Sequence, residues 1–401
     1  MTRPVHGGAN IAELRSLGLR PEDVLDFSAS INPLGAPSCI SHAIGAVNLA
    51  AYPDTECTSL RESLSARLAV STAQILVGNG STELIHLTAR AYLNTGDSGA
   101  DNRQANGETL GEGTTAHGGI DNPLSSGEKS AGVKTGNRAV IFAPTFGEFA
   151  AACDMQGADV FSIVADEGND FAWDIERAAR IIAERAPSLV FLCNPNNPTG
   201  RYLIEADVRR IADSLPEDAL MMLDEAYLPF VEARWDSMPL LDLGNVALLR
   251  SMTKDYALTA LRLGYMLAPP AVVERVRALQ HSWSVNGLAQ TAGIAALADT
   301  RHVEDGRAEM RAAKRYFVNE LDAMGLRCIP AAANFVLIRV GDARALRLAL
   351  LTGHHISVRD CASFGLPEYI RIGIKTRADC ERLVGALRDI FGEIMALTSH
   401  Y

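Results

Sequence analysis

The sequence lacks any apolar run long enough to cross a bilayer, which takes about 18–20 residues. Its first residues, Met1 to His6, also lack the apolar core of a secretory signal. Positive charge is scarce, because 48 acidic residues outnumber 37 basic residues and give a formal charge of −11. Non-specific nucleic-acid binding needs a basic face. We therefore expect a cytoplasmic protein that binds neither membranes nor nucleic acid.

The seven cysteines include no C-x-x-C pair. Several lie inside apolar runs, as Cys193 does at the end of the run 190–193. Such spacing offers neither a ligand set for zinc nor a disulfide framework. We predict reduced core cysteines and no metal site.

Aromatic residues make up only 6% of the chain, but 48% of the 401 residues are apolar, enough for a large core in two or more subregions. Apolar strands that alternate with helices are typical of a mostly parallel sheet covered on both faces. The pattern therefore predicts an α/β protein whose functional residues follow strand ends. The predicted strands of this sheet are residues 74–77, 139–142, 160–164, 189–192, 220–223 and 246–249.

The composition changes twice along the chain. Residues 95–137 are rich in Gly, Ser, Asn, Thr, Asp and Glu and contain no aromatic residue, which predicts a disordered surface insertion. Helical segments at about 270–298 and 301–324 precede short strands and a last helix, which predicts a smaller α+β domain. The expected parts are an N-terminal arm that belongs partly to the small domain (1–45), a large domain with the insertion (46–270) and a small C-terminal domain (271–401).

One stretch combines an amine with groups that bind phosphate. Lys254 follows a predicted buried strand, with Ser251 and Thr253 before it and Arg262 beyond it. An isolated lysine is usually a solvated surface charge. Two hydroxyls and a guanidinium beside an amine, however, suit a phosphate held next to a Schiff-base lysine. This combination is what pyridoxal phosphate (PLP) requires.

Two other predicted strands end in polar groups. Residues 194–200, Asn-Pro-Asn-Asn-Pro-Thr-Gly, follow one strand, and Asp224 follows another, with Tyr227 shortly after it. A carboxylate beside a pyridine nitrogen keeps that nitrogen protonated, and a nearby Asn or Tyr can hydrogen-bond the phenolic oxygen of the ring. Each segment by itself is also typical of a turn or a cap. Together with Lys254 they indicate a PLP site.

A glycine turn at residues 78–80 lies between a short predicted strand and a helix that begins near Ser81 and Thr82. The first backbone N–H groups of a helix have no partner within the helix, so they form a site for an anion. A strand, a glycine turn and a helix are a common combination. The turn is therefore consistent with phosphate binding without requiring it.

Six short motifs occur in order along the chain: Gly-Asn-Gly-Ser at 78–81, Pro-Thr-Phe at 144–146, Asn-Pro-Asn-Asn-Pro-Thr-Gly at 194–200, Asp-Glu-Ala-Tyr at 224–227, Ser-Met-Thr-Lys at 251–254 and Leu-Arg-Leu-Gly at 261–264. The series resembles that of the fold-type I PLP enzymes, in the branch of histidinol-phosphate aminotransferase and threonine-phosphate decarboxylase. The resemblance covers the chain apart from 95–137. It implies a mostly parallel, seven-stranded-type sheet in a large PLP-binding domain, beside a smaller α+β domain.

The resemblance implies a role for each matching position. Lys254 would bind the cofactor aldehyde, and Asp224 would lie at the pyridine nitrogen. Asn197 and Tyr227 would contact the phenolic oxygen, and Phe146 would stack on the ring. The residues implied to hold the cofactor phosphate are Gly80, Ser81, Thr82, Ser251, Thr253 and Arg262.

Two further positions are implied by the same resemblance. Tyr52 matches a tyrosine that reaches the cofactor of the neighbouring subunit, so a homodimer with shared sites is implied. Arg371 looks like the arginine that holds the substrate α-carboxylate, a task suited to a guanidinium. Considered alone, each of Arg359 and Arg371 is as typical of a solvated surface residue as of a residue that binds a ligand.

The ends of the chain distinguish the members of the branch. The segments 6–8, 26–35 and 358–364 resemble threonine-phosphate decarboxylase. The residues then implied to grip the substrate, a phosphorylated amino acid, are His6, Gly7, Asn32, Asn197, Arg359 and Arg371. The resemblance predicts decarboxylation of L-threonine O-3-phosphate to (R)-1-amino-2-propanol O-2-phosphate, a building block in cobalamin biosynthesis.

Two alternatives stay open from the sequence. One is an aminotransferase of histidinol phosphate or a related amino acid, because the two reactions differ only in which bond of the α-carbon stands perpendicular to the cofactor ring. The other is a non-catalytic binder that keeps the scaffold. Loss of Lys254 or Asp224 would favour the non-catalytic binder, and both residues are present.

Overall fold

The computed structural model describes residues 7–8, 10–93 and 137–398. The predictions for His6 and for the insertion at 95–136 lie outside the described residues. The helices are α1 (Ile11–Ser16), α2 (Cys39–Gly45), α3 (Thr58–Leu68), α4 (Gly80–Leu93), α5 (Gly147–Met155), α6 (Ile175–Arg185), α7 (Glu205–Ala212), α8 (Met252–Asp255), α9 (Pro270–Arg277), α10 (Gly287–Ala298), α11 (His302–Ala323), α12 (Ala343–His354) and α13 (Arg377–Thr398).

The strands form a large sheet and two small ones. They are β1 (Leu25–Asp26), β2 (Ile75–Asn79), β3 (Arg138–Ala143), β4 (Asp159–Val164), β5 (Leu189–Cys193), β6 (Leu220–Asp224), β7 (Val246–Ser251), β8 (Leu263–Leu267), β9 (Cys328–Ile329), β10 (Phe335–Arg339), β11 (Ile356–Ser357), β12 (Arg359–Cys361) and β13 (Leu366–Gly373).

The large sheet has seven strands in the order β2-β8-β7-β6-β5-β3-β4. Strands β7, β6, β5, β3 and β4 are parallel, and β8 is antiparallel to both of its neighbours. Every residue of β5 and β6 is buried, because apolar clusters cover both faces of the sheet. The predicted α/β fold with a mostly parallel seven-stranded sheet is confirmed.

Strand β8, which contains Gly264, is not among the strands predicted from the sequence. Glycine weakens a strand, but here it permits a close approach of two backbones. A Cβ atom at this position would lie 2.5 Å from the backbone nitrogen of Ser81. The glycine therefore brings β8 against the start of α4.

The C-terminal part contains a four-stranded antiparallel sheet in the order β12-β13-β10-β9. Helices α11, α12 and α13 contribute to an apolar cluster around it, which also includes Phe27 from the N-terminal part. Strand β1 pairs with β11 in parallel, and the backbone N–H of Gly373 donates to the carbonyl of Phe27. The N-terminal segment is thus held against the C-terminal part. In the described part of the chain, no helix is long and apolar enough to cross a membrane.

Candidate active site

A cavity of about 600 Å³ lies at the edge of the large sheet where the parallel strands end. Strands β2, β3, β5, β6 and β7 reach this edge with their last residues. The antiparallel strand β8 begins there. The predicted site residues that line the cavity are Gly7, Ser81, Thr82, Phe146, Asn197, Asp224, Tyr227, Ser251, Thr253, Lys254, Arg262, Arg359 and Arg371.

One end of the cavity has groups that could hold a phosphate. Helix α4 begins at Gly80, whose φ is +74°, and Arg262, with a φ of 58°, precedes β8. Asn79, just before Gly80, pairs with Leu263, just after Arg262, so Gly80 and Arg262 lie near each other. A Cβ atom at position 80 would lie 2.9 Å from Nη2 of Arg262. The absence of a Cβ at Gly80 leaves room for the guanidinium beside the amides at the start of the helix, where an anion is stabilised.

Hydroxyl groups complete this end of the cavity. The hydroxyls of Ser251 and Thr253 are 2.7 Å apart and hydrogen-bonded to each other. Ser81 and Thr82 line the same cavity from the first turn of α4. Hydroxyl donors, backbone amides and one guanidinium form a site that matches a phosphate dianion.

Lys254 lies on the short helix α8, directly after β7. Its Nζ is 5.7 Å from the centre of the Tyr227 ring. The N-terminal segment supports this turn, because the backbone N–H of Asn32 donates to the carbonyl of Lys254 and the Asn32 side chain donates to the carbonyl of Asp255. The backbone that carries the lysine amine is thus held by two hydrogen bonds from Asn32.

Asp224, the last residue of β6, is 3% exposed. Burial raises the pKa of its carboxyl to about 6, although the N–H of Ala226 and the charge of Lys254 act in the opposite direction. A buried carboxylate of this kind favours a cationic partner in the cavity. The next residue, Glu225, points elsewhere and accepts a hydrogen bond of 2.9 Å from Arg250.

Two loops place an aromatic ring and an amide on the cavity wall. Phe146 follows β3, and Asn197 follows β5. Thr145 Oγ1 donates to Oδ1 of Asn196 at 2.8 Å, and the Asn196 side-chain nitrogen donates to the carbonyl of Pro144 at 2.9 Å. These bonds join the loop that carries Phe146 to the loop that carries Asn197.

The opposite end of the cavity contains two buried guanidiniums. Arg359 and Arg371 lie opposite each other on β12 and β13 and are 6% and 4% exposed. Arg371 donates to Asn197 Oδ1 and, at 2.9 Å, to the carbonyl of Ser28. Arg359 donates to Ser363 Oγ at 2.6 Å. Burial and the charge of Arg371 lower the pKa of Arg359. Two like charges in one buried place favour an anionic ligand.

Three predicted residues do not line the cavity. Gly80 lies next to Arg262, and its missing side chain leaves space for the Arg262 guanidinium. Asn32 is buried and bonded to the lysine turn. Tyr52 is 82% exposed and stacks on Trp283 with ring centres 4.9 Å apart. Tyr52 is therefore an exposed residue that does not line the cavity of its own chain.

The structure also adds residues that the sequence analysis did not single out. Asp26 lines the cavity and accepts hydrogen bonds from the backbone N–H and hydroxyl of Ser28. The hydroxyl of Ser28 accepts a bond of 2.8 Å from the N–H of Gly8. Both residues belong to the segment 26–35. The sequence motif thus identifies this segment, but it does not indicate these hydrogen bonds. Further lining residues are Gly8, Ala29, Ser30, Ile31, Cys193, Ala226, Thr259 and Phe364.

The groups that line the cavity fit PLP in their chemistry. A phosphate site, an amine and a buried carboxylate are the three groups that the cofactor needs. A Cβ atom at Gly80 would come within 2.9 Å of Nη2 of Arg262, so a larger residue there would crowd the end of the cavity that could hold the phosphate. Among the described residues, no group of three or more His, Cys, Asp and Glu side chains could hold a metal ion.

The fold and the site together define a PLP-dependent enzyme of fold type I. The sequence matches the family "Aminotransferase class I and II" over residues 119–387. The chain belongs to this family, and its cofactor is pyridoxal 5'-phosphate.

Two relatives illustrate how far the similarity extends. A histidinol-phosphate aminotransferase of Symbiobacterium thermophilum is 33% identical over 383 residues, which cover 94% of this chain and 93% of the relative. A histidinol-phosphate aminotransferase of Anaeromyxobacter sp. is 33% identical over 394 residues, which cover 96% and 93%. The similarity therefore extends over nearly the whole of each protein.

Solved structures share the fold at lower identity. The histidinol-phosphate aminotransferase of Sinorhizobium meliloti in complex with PLP matches with a TM-score of 0.78 and 22% identity, over 96% of this chain and 95% of that one. The L-threonine-O-3-phosphate decarboxylase of Porphyromonas gingivalis matches with a TM-score of 0.72 and 23% identity, over 92% and 100%. Both reactions thus occur on the same fold.

Proposed function

We propose that this chain uses PLP to decarboxylate L-threonine O-3-phosphate, with amino transfer as the alternative. In this proposal Lys254 binds the cofactor aldehyde, Asp224 pairs with the pyridine nitrogen, and Asn197 and Tyr227 hold the phenolic oxygen. Phe146 stacks on the ring. The phosphate is held by the start of α4, with Ser81 and Thr82, and by Ser251, Thr253 and Arg262. The bound cofactor supplies an electron sink for the electrons of a bond to the substrate α-carbon.

The observation that carries the proposal is the pair of buried guanidiniums, Arg359 and Arg371. Their joint burial favours a substrate with two anionic groups, and L-threonine O-3-phosphate has a carboxylate and a phosphate. The segments that surround the pair, around Gly7, Asp26 and Phe364, are those that resemble the decarboxylase in sequence. They come from distant parts of the chain and meet at this end of the cavity.

The residues can perform the steps that the reaction requires. Arg371 is suited to hold the α-carboxylate, because its planar fork binds a carboxylate at two points. Arg359 then meets the substrate phosphate. The amine of Lys254, once displaced by the substrate amine, donates a proton to the α-carbon after carbon dioxide leaves. Which bond breaks depends on where the two guanidiniums hold the carboxylate relative to the cofactor ring.

Amino transfer by an enzyme of the histidinol-phosphate aminotransferase type is the second candidate. The relatives support it better than they support decarboxylation, because those compared over nearly the full length carry that name. Histidinol phosphate itself has only one anionic group, but glutamate, a common amino donor, has two carboxylates that suit Arg359 and Arg371. We place decarboxylation first because identity over the full length mainly reflects the shared fold and cofactor site, whereas the substrate end determines the reaction.

One assay separates the two reactions. The holoenzyme is incubated with L-threonine O-3-phosphate and, separately, with histidinol phosphate and 2-oxoglutarate, and both carbon dioxide and glutamate are measured. Decarboxylation predicts carbon dioxide from the first substrate without glutamate. Glutamate from the second mixture, with no carbon dioxide from the first, would establish amino transfer instead. A Lys254→Ala control must lose both the cofactor absorbance band of the free enzyme and turnover. If the unaltered protein binds the cofactor but forms neither carbon dioxide nor glutamate, the third possibility, a non-catalytic binder, is supported.

A further inference from the structure

A third arginine near the substrate end, Arg347, lies on α12 outside the cavity. Its guanidinium donates from Nη1 to Oε1 of Glu13 at 2.7 Å and from Nη2 to Oε2 of the same residue. Its Nε is 3.9 Å from Oδ2 of Asp360. The three side chains are only 20 to 29% exposed. One largely buried cation is therefore shared by two carboxylates from different parts of the chain.

The first carboxylate belongs to the N-terminal arm. Glu13 lies on α1, whose first turn is capped by the side chain of Asn10. Gly8, just before this helix, donates its N–H to the hydroxyl of Ser28. A Cβ atom at Gly7 would lie only 2.3 Å from the carbonyl oxygen of Ser28, so the arm runs directly against this segment. Gly7 and Gly8 line the cavity and come just before this helix. The contact of Glu13 with α12 thus holds the helix next to the part of the arm that reaches the cavity.

The second carboxylate belongs to the strand that carries a cavity guanidinium. Asp360 follows Arg359 on β12, and Arg359 lies opposite Arg371 on β13. Side chains of successive strand residues point to opposite faces. Asp360 can therefore face Arg347 while Arg359 faces the cavity. Arg347 is in this way connected both to the arm and to the strand that carries Arg359.

We propose that Arg347 is a positioning residue of the substrate end, although it does not line the cavity. By holding Glu13 and Asp360 together, it keeps the arm and Arg359 at a fixed separation before the substrate arrives. Groups that are already ordered bind a ligand more tightly, because no conformational entropy is lost in ordering them when the ligand binds. The inference rests on the proposed function for the location of the substrate, and it assigns Arg347 to the binding of the substrate anion and not to the cofactor.

The test uses the holoenzyme of an Arg347→Met variant, which keeps most of the side-chain stem and removes the charge. Binding of inorganic phosphate is measured by calorimetry, and KM and kcat are measured with L-threonine O-3-phosphate. We expect phosphate binding to weaken and KM to rise about five- to tenfold, as for the loss of a partly buried ion pair. The PLP dissociation constant and kcat should change less than about twofold. Trypsin should also cleave more quickly at the exposed Arg15 of α1.

Two controls separate positioning from general destabilisation. Arg210→Met removes another ion pair between two helices, to Glu176 at 3.0 Å, far along the chain from the arm. It should change none of these quantities. The double variant Glu13→Gln/Arg347→Met should bind phosphate no more weakly than Arg347→Met alone, since both changes break the same contact.

Phosphate binding does not depend on which reaction the enzyme performs. Weaker binding in Arg347→Met would thus support the inference even if neither proposed reaction is observed. Equal phosphate affinity in the variant and the unaltered holoenzyme would overturn it, and so would an unaltered holoenzyme that binds no phosphate. An equal rise of KM in Arg210→Met would assign the effect to stability.

Discussion

Arg371 on β13 donates a hydrogen bond from Nη1 to Oδ1 of Asn197, in the loop that follows β5. This bond joins the small antiparallel sheet to the large sheet at the cavity. Within the described residues, the buried Nε of Arg371 has no hydrogen-bond partner. The guanidinium therefore connects the proposed substrate end to the proposed cofactor end and keeps one donor available.

Arg371→Lys should lower kcat/KM by about 100-fold or more, because an ammonium group cannot form the same paired contact with a carboxylate. The affinity for PLP should remain within a fewfold. The measurement is steady-state kinetics with L-threonine O-3-phosphate, with cofactor affinity from absorbance titration. Arg339→Lys is the matched control, since Arg339 is on the neighbouring strand β10 and pairs with Glu368 at the surface. Equal kinetics for the Arg371 variant and the control would refute the assignment.

Gly80→Ala should weaken PLP binding at least tenfold, because its Cβ would displace the Arg262 guanidinium. The control is Gly157→Ala. Gly157 also has a positive φ, of +62°, but nothing lies within 4 Å of its Cβ position. Both substitutions place alanine in the left-handed region, which costs about 1–2 kcal/mol. If both variants lose the same stability and both keep PLP affinity, the phosphate site does not depend on Gly80.

Asp224→Asn should stabilise the cofactor-free protein at pH 8. Burial raises the pKa of Asp224 from 3.8 to about 6, so the native state binds the proton more tightly than the unfolded chain does. Its contribution to the free energy of unfolding therefore falls as the pH rises through this window, by roughly 2–3 kcal/mol, and stays low above it. Asparagine has no such titration.

Urea unfolding at pH 4 and pH 8 measures this difference. The variant should be more stable than the unaltered protein at pH 8, with a much smaller difference at pH 4. Asp218→Asn, an exposed residue just before β6, should have little effect at either pH. A destabilised Asp224→Asn protein at pH 8 would mean that hydrogen bonds to the carboxylate outweigh the cost of its burial.

Mixing two inactive variants tests whether the site is shared between subunits. Tyr52 is exposed and does not line the cavity of its own chain, and we propose that it serves a partner's cofactor in a homodimer. Tyr52→Ala and Lys254→Ala should each be strongly impaired. Random reassociation should restore about a quarter of the unaltered activity, because half of the dimers are mixed and each mixed dimer has one complete site. No recovery after verified subunit exchange would place Tyr52 outside the site.

The cofactor end could be predicted from the sequence because its residues follow strands directly. Asp224, Asn197 and Lys254 come within four residues of the ends of β6, β5 and β7. A parallel sheet brings such ends to one edge, whatever the helices between them do. The position of these residues is therefore a consequence of topology, and a local pattern is enough to find them.

The substrate end could not be predicted in the same way. Gly7, Asp26 and Arg359 meet through the pairing of β1 with β11, strands of only two residues each. Such short strands leave no periodic pattern in a sequence. Their partners are also more than 300 residues apart along the chain. The contacts of Ser28 and Arg347 depend on this pairing, so only the resemblance of whole segments drew attention to this region.

The helical prediction for residues 270–298 was too simple. The structure has two helices there, α9 and α10, and residues 278–286 between them are not part of either. Trp283 has a φ of 58°, which an α-helix does not allow, and Asn286 caps the start of α10. The interruption presents Trp283 as the stacking partner of Tyr52.

The antiparallel direction of β8 has one more consequence. Ser251 of β7 lies opposite Gly264 of β8. The segment that carries Lys254 is therefore a loop that connects two neighbouring, paired strands. The free energy needed to close such a loop rises only slowly with its length. An inserted residue between Lys254 and Arg262 would thus disturb the sheet little, yet it would shift the amine relative to the guanidinium. If Lys254 and Arg262 hold the aldehyde and the phosphate as we propose, we expect the cofactor, more than folding, to restrict the length of this loop.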